Sequence, residues 1–387
     1  MANTITSYIP QLLAQALQVM RGLTVMPRLV NTEYEPLAAR KGSVIDVPIA
    51  PTITTRAVTP SQDQPATTGV ESGTVQIPLD QWYEAPFEMT DKDIKITEKG
   101  LIPDCIRSAA TAMAERINAY IFSFYIDVYS YGGTAGTTPF TGSPATTTDA
   151  TQAARRLTEM KAAKRGRRMV LDPAAAALAT DLGAFQDASK SADPAVITDG
   201  IIGRKLGFDF YEDQQVPTHT AGTITTGLIA KASTAQAVGL KAIVCTTAAS
   251  TGACALLEGD IVEFDGDTQT YVLTADATQA SANSDVTVNI EPGLKIALAG
   301  SEAVTVKATH VVNLAFLAEA FAFASRPLDD VGQAVGLPIA SQSMTDPLTG
   351  LSMRLEVTRQ YKQTMWALDM LYGGKCTRPE KVTRLAG

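Results

Sequence analysis

At 387 residues the chain exceeds one ordinary core, and its length predicts two or three domains. Hydrophobic residues make up 45% and charged residues 19%, a globular composition that excludes a disordered or collagen-like chain. A formal net charge of −8 excludes general attraction to nucleic acid as the organising principle, because polyanions are held by clustered Lys and Arg. Cys105, Cys245, Cys254 and Cys376 form no C-x-x-C pair and have no histidine at zinc spacing, which fits a reducing cytoplasm without disulfides. The N-terminus lacks a positive n-region and an A-x-A site, so no signal peptide is expected. The apolar run 313–324 is broken by Glu319, and no membrane span is expected.

Ile9 to Leu23 place Leu12, Leu13, Leu17 and Met20 at helical spacing. The resulting amphipathic arm needs a surface, either its own domain or a neighbouring subunit. From Lys41 to Phe87 the pattern alternates with period two, in Val44 to Ile49 and again in Thr74 to Leu79. Between these strands Pro60 to Gly69 form a polar turn cluster, so a long hairpin is predicted. A two-stranded ribbon leaves its edges unpaired and is marginal alone, so it should lie on another surface, such as a second subunit.

The strongest helical pattern runs from about Ile102 to Tyr131, with Pro103 tolerated near its start and Gly132-Gly133 expected to end it. A Thr-rich linker leads to an α/β region: a helix over 150–161, a strand over 168–171 and a helix over 173–183. Ile201 to Tyr211 read as a turn and a strand that feeds the segment Val216 to His219. From about Ala221 to Lys307 short β runs are divided by Glu258-Gly259-Asp260 and Asp265-Gly266-Asp267, the mark of a small all-β insert. Val311 to Ser325 and Leu355 to Leu371 then resume the interrupted domain.

Chemistry-bearing candidates are few. His219 and His310 have no cysteine or carboxylate partner at metal or triad spacing, so both are expected to be structural or exposed. Gly132 to Thr137 superficially resemble a phosphate loop but lack its lysine and follow a helix. Glu263 to Asp267 miss the spaced ligands of a calcium loop and read as a β-turn. Lys161, Lys164, Arg165, Arg167 and Arg168 form the densest basic cluster. In an acidic chain without interleaved aromatics, subunit contacts or solvation are the favoured reading over nucleic acid.

The order of arm, hairpin, long helix and interrupted α/β domain resembles the tailed-phage capsid fold. The segments Gly203 to Asp209, Val216 to His219, Asn313 to Phe316, Arg326 to Leu328, Asp346 to Ser352 and Tyr372 to Glu380 are similar to the coat-protein family of short-tailed phages. The resemblance implies an α+β fold with an N-terminal arm over 1–40 and an extended loop over 41–87. A peripheral domain with its spine helix would occupy 88–148, an axial domain and remaining core 149–220 and 308–387, and an all-β, barrel-like accessory domain 221–307.

By the same resemblance the chain is a non-enzymatic major capsid protein of the virion, made in the host bacterial cytoplasm. It would assemble with itself as hexamers and pentamers, with a scaffolding protein, a portal and internal double-stranded DNA as partners. Neither cofactor, metal nor membrane is implied. Gln62, Asp63 and Gln64 at the hairpin tip, with the basic cluster, are the expected subunit contacts. A β-rich surface adhesin or another structural virion protein is the competing reading, and the missing signal peptide opposes an adhesin. A hydrolase would need a nucleophile and base that the sequence does not offer.

Overall fold

The computed structural model describes residues 8–33, 44–49, 53, 55, 57–58, 73–96, 101–142, 146–187, 199–224, 227–231, 236–247, 254–279, 284–328 and 339–387. The chain divides into two compact units. One comprises Met1–Val19, Thr32–Ala110 and Ala322–Thr377; the other comprises Met20–Asn31, Thr111–Phe321 and Arg378–Gly387.

The helix Tyr8–Leu23 buries Leu12, Leu13, Ala16, Leu17 and Met20 and exposes Gln11, Ala14, Gln15 and Gln18. Its stripe is therefore covered by the chain itself, which decides between the two surfaces open to the arm.

In the first unit the expected ribbon pairs Val44–Ile49 with Gly73–Pro78, antiparallel, from Val44↔Pro78 to Ile49↔Gly73. Alternation does what period two requires. Ile45, Val47, Ile77 and Leu79 pack with Ala322 and Ala324, while Val44, Asp46 and Pro48 face outward. Among the described residues neither strand pairs with a third.

A five-stranded sheet runs in the order Phe321–Arg326, Gln363–Cys376, Ser352–Gln360, Ile339–Thr345, with Gln81–Thr90 also paired to the fourteen-residue strand Gln363–Cys376. That last ladder extends from Tyr372↔Gln81 to Gln363↔Thr90, and on one face Phe87 stacks on Trp366 with ring centroids 5.3 Å apart. On the opposite face Arg354 grips Asp369 with two hydrogen bonds of 3.0 and 2.6 Å.

Two of the segments that carried the sequence resemblance have evident physical roles here. In Asp346 to Ser352, the Asp346 carboxylate accepts from Leu348 N at 3.3 Å and Thr349 Oγ1 at 2.6 Å, closing the loop between two strands. In Tyr372-Gly373-Gly374, a Cβ on Gly373 would stand 1.9 Å from the Pro78 carbonyl oxygen. Only glycine lets that strand approach the ribbon base.

The long helix spans Leu101–Ser123, shorter than the predicted 102–131. It is followed by a 3-10 turn, Phe124–Asp127, and a short strand, Tyr131–Gly133. The reason is tertiary: Tyr131–Gly133 pairs in parallel with Val382–Ala386, so Gly132 and Gly133 serve a ladder and do not cap the helix. Gly133 has φ 82°, and a Cβ there would lie 2.7 Å from the Ala386 carbonyl oxygen.

The second unit is built on a sheet in the order Tyr131–Gly133, Val382–Ala386, His310–Leu317, Arg167–Leu171, Phe208–Glu212, Arg204–Lys205, with Thr218–His219 paired to the start of His310–Leu317. Helices Thr148–Glu159, Pro173–Thr180 and Gly183–Gln186 cover it through Ala150, Ala153, Leu157, Ala175 and Phe185 against Met169, Leu171, Phe208 and Ala315. Asp172 caps the second helix by accepting from Ala174 N at 3.1 Å, with Pro173 at its first turn.

Six strands close into the β-barrel anticipated in this part of the chain. Their order is Ala242–Thr247, Asp285–Glu291, Thr270–Leu273, Ile261–Phe264, Ala303–Val306, Leu228–Ala230 and back to the first. Inward residues fill it: Ile243, Cys245, Val262, Phe264, Tyr271, Leu273, Val286, Val288 and Ile290 are all buried. Gly259 and Gly266, in the two predicted turn signals, have φ of 89° and 83°. Asp267 in the second accepts from Tyr271 Oη at 2.6 Å and Gln269 N at 2.9 Å, the use a turn makes of a carboxylate.

Candidate functional site

The barrel meets the sheet of its own unit at a mixed apolar and polar seat. Within a barrel strand, alternate residues point out, so Ile261 and Val272 face away from the barrel interior. They pack on Tyr129, Tyr131 and Ala386, beside the partly buried Met160.

Next to this apolar layer lies a buried polar cluster. Asp260, fully buried in the turn before the strand Ile261–Phe264, accepts from His219 Nε2 at 2.8 Å, Leu257 N at 2.8 Å and Gly222 N at 3.1 Å. A carboxylate only accepts, so His219 Nε2 carries the proton shared with Asp260, and its Nδ1 lies 3.2 Å from Tyr125 Oη. Arg384, also fully buried, donates from Nη1 to the Gly259 carbonyl at 2.8 Å and from Nη2 to that of Ile126 at 3.3 Å, with its guanidinium 5.0 Å from the Tyr125 ring centroid. Burial pushes its pKa down to about 9, against the pull of Tyr125, Asp260 and Asp127, and it stays cationic at neutral pH.

His310 sits 5.5 Å from His219, ring centroid to centroid, and meets Tyr131 edge-on at 5.4 Å. Its Nδ1 donates to the Ala308 carbonyl at 2.7 Å, and its buried Nε2 has no hydrogen-bond partner among the described residues. Burial depresses the imidazole pKa to about 4, with the Ala308 bond opposing and the Arg384 charge adding to the shift. His310 is neutral at physiological pH.

The aspartate partner that spacing did not reveal is thus 41 residues from His219 in sequence and 2.8 Å from it in space. Both histidines are buried and structural, one of the two states expected of them. Asp260 was visible only as a turn residue, and Arg384 gave a fainter signal: a lone charge in the apolar strand Val382–Ala386, where an unpaired cation would be costly. Both ring nitrogens of His219 are occupied, so the cluster anchors; it offers no free base.

The basic cluster divides. Lys161, Lys164 and Arg165 are exposed, whereas Arg167 is 4% exposed, buried within the chain where a surface side chain was expected, for a clear reason. Its guanidinium donates to the carbonyls of Ala163, Ala154 and Ala162 at 2.8, 3.0 and 2.9 Å and to Thr158 Oγ1 at 3.1 Å, capping the C-terminal end of helix Thr148–Glu159. Arg168 is half-buried and donates to the Leu29 carbonyl. Gln62, Asp63 and Gln64 lie outside the described residues.

An open groove of about 790 Å³ beside the seat is lined by Arg155, Arg156, Lys161, Glu263, Lys295 and Glu380, among others. Among the described residues no group of three His, Cys, Asp or Glu side chains is placed to hold a metal ion. No described helix is long and apolar enough to cross a membrane.

No protein-family profile matches the sequence, and no curated protein does. Solved structures do. The chain is similar to that of Mycobacterium phage Che8 at 19% identity, with 93% of this chain and 90% of that one covered and a TM-score of 0.48. It is similar to the capsid structure of the cyanophage P-SCSP1u at 12% identity, covering 93% and 87% with a TM-score of 0.49. For the capsid of Ralstonia phage GP4 the values are 12%, 94%, 90% and 0.47.

Proposed function

We propose that this chain is the major capsid protein of a tailed phage, a structural subunit that self-assembles as hexamers and pentamers into an icosahedral shell around double-stranded DNA. The observation that carries the reading is the two-stranded ribbon Val44–Ile49 and Gly73–Pro78: one face is buried, the other presents Val44, Asp46 and Pro48, and no third strand joins it among the described residues. Such a ribbon is marginal in water and invites a covering surface from another copy. The element order supports the same reading, since arm, ribbon, long helix and interrupted α/β sheet follow the sequence resemblance.

Within this reading the chain is a short-tailed-phage coat protein, and 221–307 is its inserted accessory domain. The domain limits 1–40, 41–87, 88–148, and 149–220 with 308–387 go with it. Scaffolding protein and portal are its assembly partners, and packaged DNA meets the inner face without sequence specificity. Gln62, Asp63, Gln64, Lys161, Lys164, Arg165 and Arg168 make subunit contacts. Many weak repeated contacts give a closed shell its stability while each stays reversible during growth.

Negative-stain microscopy of the chain expressed alone and with its neighbouring genes tests the proposal. Closed shells or capsomer rings are expected. A monodisperse monomer under both conditions would overturn it.

A further inference from the structure

The barrel has its own closed interior and joins the sheet through a narrow neck. At the neck His219 pairs with His310 and Thr218 with Val311, and Ala221 N donates to Thr309 Oγ1 at 3.1 Å. Besides the apolar layer around Ile261 and Val272, the barrel is held by His219 on Asp260 and by Arg384 on the Gly259 carbonyl. Thr270 Oγ1 adds a bond to the Tyr129 carbonyl at 2.8 Å, and Arg156 Nη1 one to the Thr268 carbonyl at 3.1 Å. The Arg384 cation and His219 converge on one turn of the barrel, and His310 lies beside His219 with ring centroids 5.5 Å apart.

We propose that His219, His310, Asp260 and Arg384 form an acid-released latch: neutral His310 keeps the barrel seated, and protonation of His310 frees the barrel, still folded, to move about its neck. The inference rests on the chain's own geometry and is independent of the capsid reading.

Charge bookkeeping in the seat supports it. Arg384 supplies one buried cation and Asp260 one buried carboxylate, already engaged by His219, Gly222 N and Leu257 N. The other groups at the seat are Tyr131 from the short strand, which meets His310 edge-on, Tyr125 and Asp127 from the 3-10 turn, which lie near Arg384, and Lys307 from the neck, whose ammonium lies 5.8 Å from the Tyr131 ring centroid. A proton on His310 Nε2 would add a cation beside Arg384 with no acceptor facing it among the described residues. Opening relieves that repulsion and hydrates the imidazolium. The seated ring titrates near 4 and an exposed one near 6.5, so opening takes up a proton between those values and is favoured as pH falls. At pH 5 the opening equilibrium should rise about 30-fold over its value at pH 7.5.

Hydrogen exchange with mass spectrometry on the full chain tests the latch at pH 7.5 and pH 5, corrected for intrinsic exchange rates. Peptides over 125–131 and 257–261 should lose protection by that factor, while 285–291 inside the barrel keeps its protection. His310→Gln, neutral throughout this range, should abolish the acid response. Unchanged seat protection at pH 5 would overturn the proposal, as would simultaneous loss in 285–291 or an acid response retained in H310Q. The wild-type comparison decides the matter even where the variant folds poorly.

Discussion

His219 Nε2 donates to Asp260 Oδ1 across 2.8 Å, joining the neck of the barrel to the turn before the strand Ile261–Phe264 with both side chains removed from solvent. Because Asp260 also satisfies two backbone N–H groups, its loss orphans three donors at once.

Asp260→Ala should therefore destabilise the second unit by about 3 kcal/mol or more, the cost of leaving several buried donors without an acceptor. Asp260→Asn, which keeps an acceptor, should cost less. Urea denaturation of the two variants beside the parent checks the ranking, and an Ala variant no weaker than the Asn variant would contradict the assignment.

Arg384→Lys keeps the charge but loses the fork that reaches both Gly259 and Ile126. A loss of about 2–3 kcal/mol is expected, one charged hydrogen bond and a partly orphaned carbonyl. Equal stability of R384K and the parent in the same assay would show that the bidentate reach does not matter.

His310 makes stability depend on pH with a definite sign. Its folded pKa, about 4, lies below the ordinary value of 6.5, so its contribution is complete above pH 6.5 and is lost as pH falls toward 4. From its titration alone, stability at pH 5 should be about 2 kcal/mol below that at pH 7.5. H310Q should remove that part of the slope, and a variant with the parent's full slope between pH 7.5 and 5 would count against it.

Gly373→Ala should be far worse than a typical surface change, since its Cβ would sit 1.9 Å from the backbone oxygen of Pro78 and neither strand can yield cheaply. The ribbon base must move off the sheet, which should appear as new proteolysis within 44–78. Gly183→Ala, where nothing lies within 4 Å, is the matched control and should resemble the parent.

Deleting Pro60 to Gly69 should leave soluble subunits that form no normal shells, read by sedimentation and microscopy. Normal shells from that deletion would remove the hairpin tip from the list of contacts.

Local pattern was a good guide where one element's own periodicity decides its burial. The stripe of Leu12, Leu13, Leu17 and Met20 and the alternation in Val44 to Ile49 both appear as residue order implies. The helix ending was misjudged because residues 124–131 keep an apolar helical rhythm, yet Tyr131 to Gly133 gain a parallel ladder with a strand some 250 positions onward. Arg167 was misplaced for a related reason: a basic run reads as solvated until one of its members is needed to cap a helix end.

The sequence by itself determined most of the helices, strands and turns, because those depend on neighbours within a few residues, but not the end of the long helix, which a distant strand decides. It also determined that the chain is α+β with a separate all-β segment. Only the tertiary structure decided that Asp260, His219, His310 and Arg384 share one buried seat. Contacts between residues 41 to 258 positions apart leave no period in the chain, and they arise only when a closed barrel and a paired sheet bring their ends together.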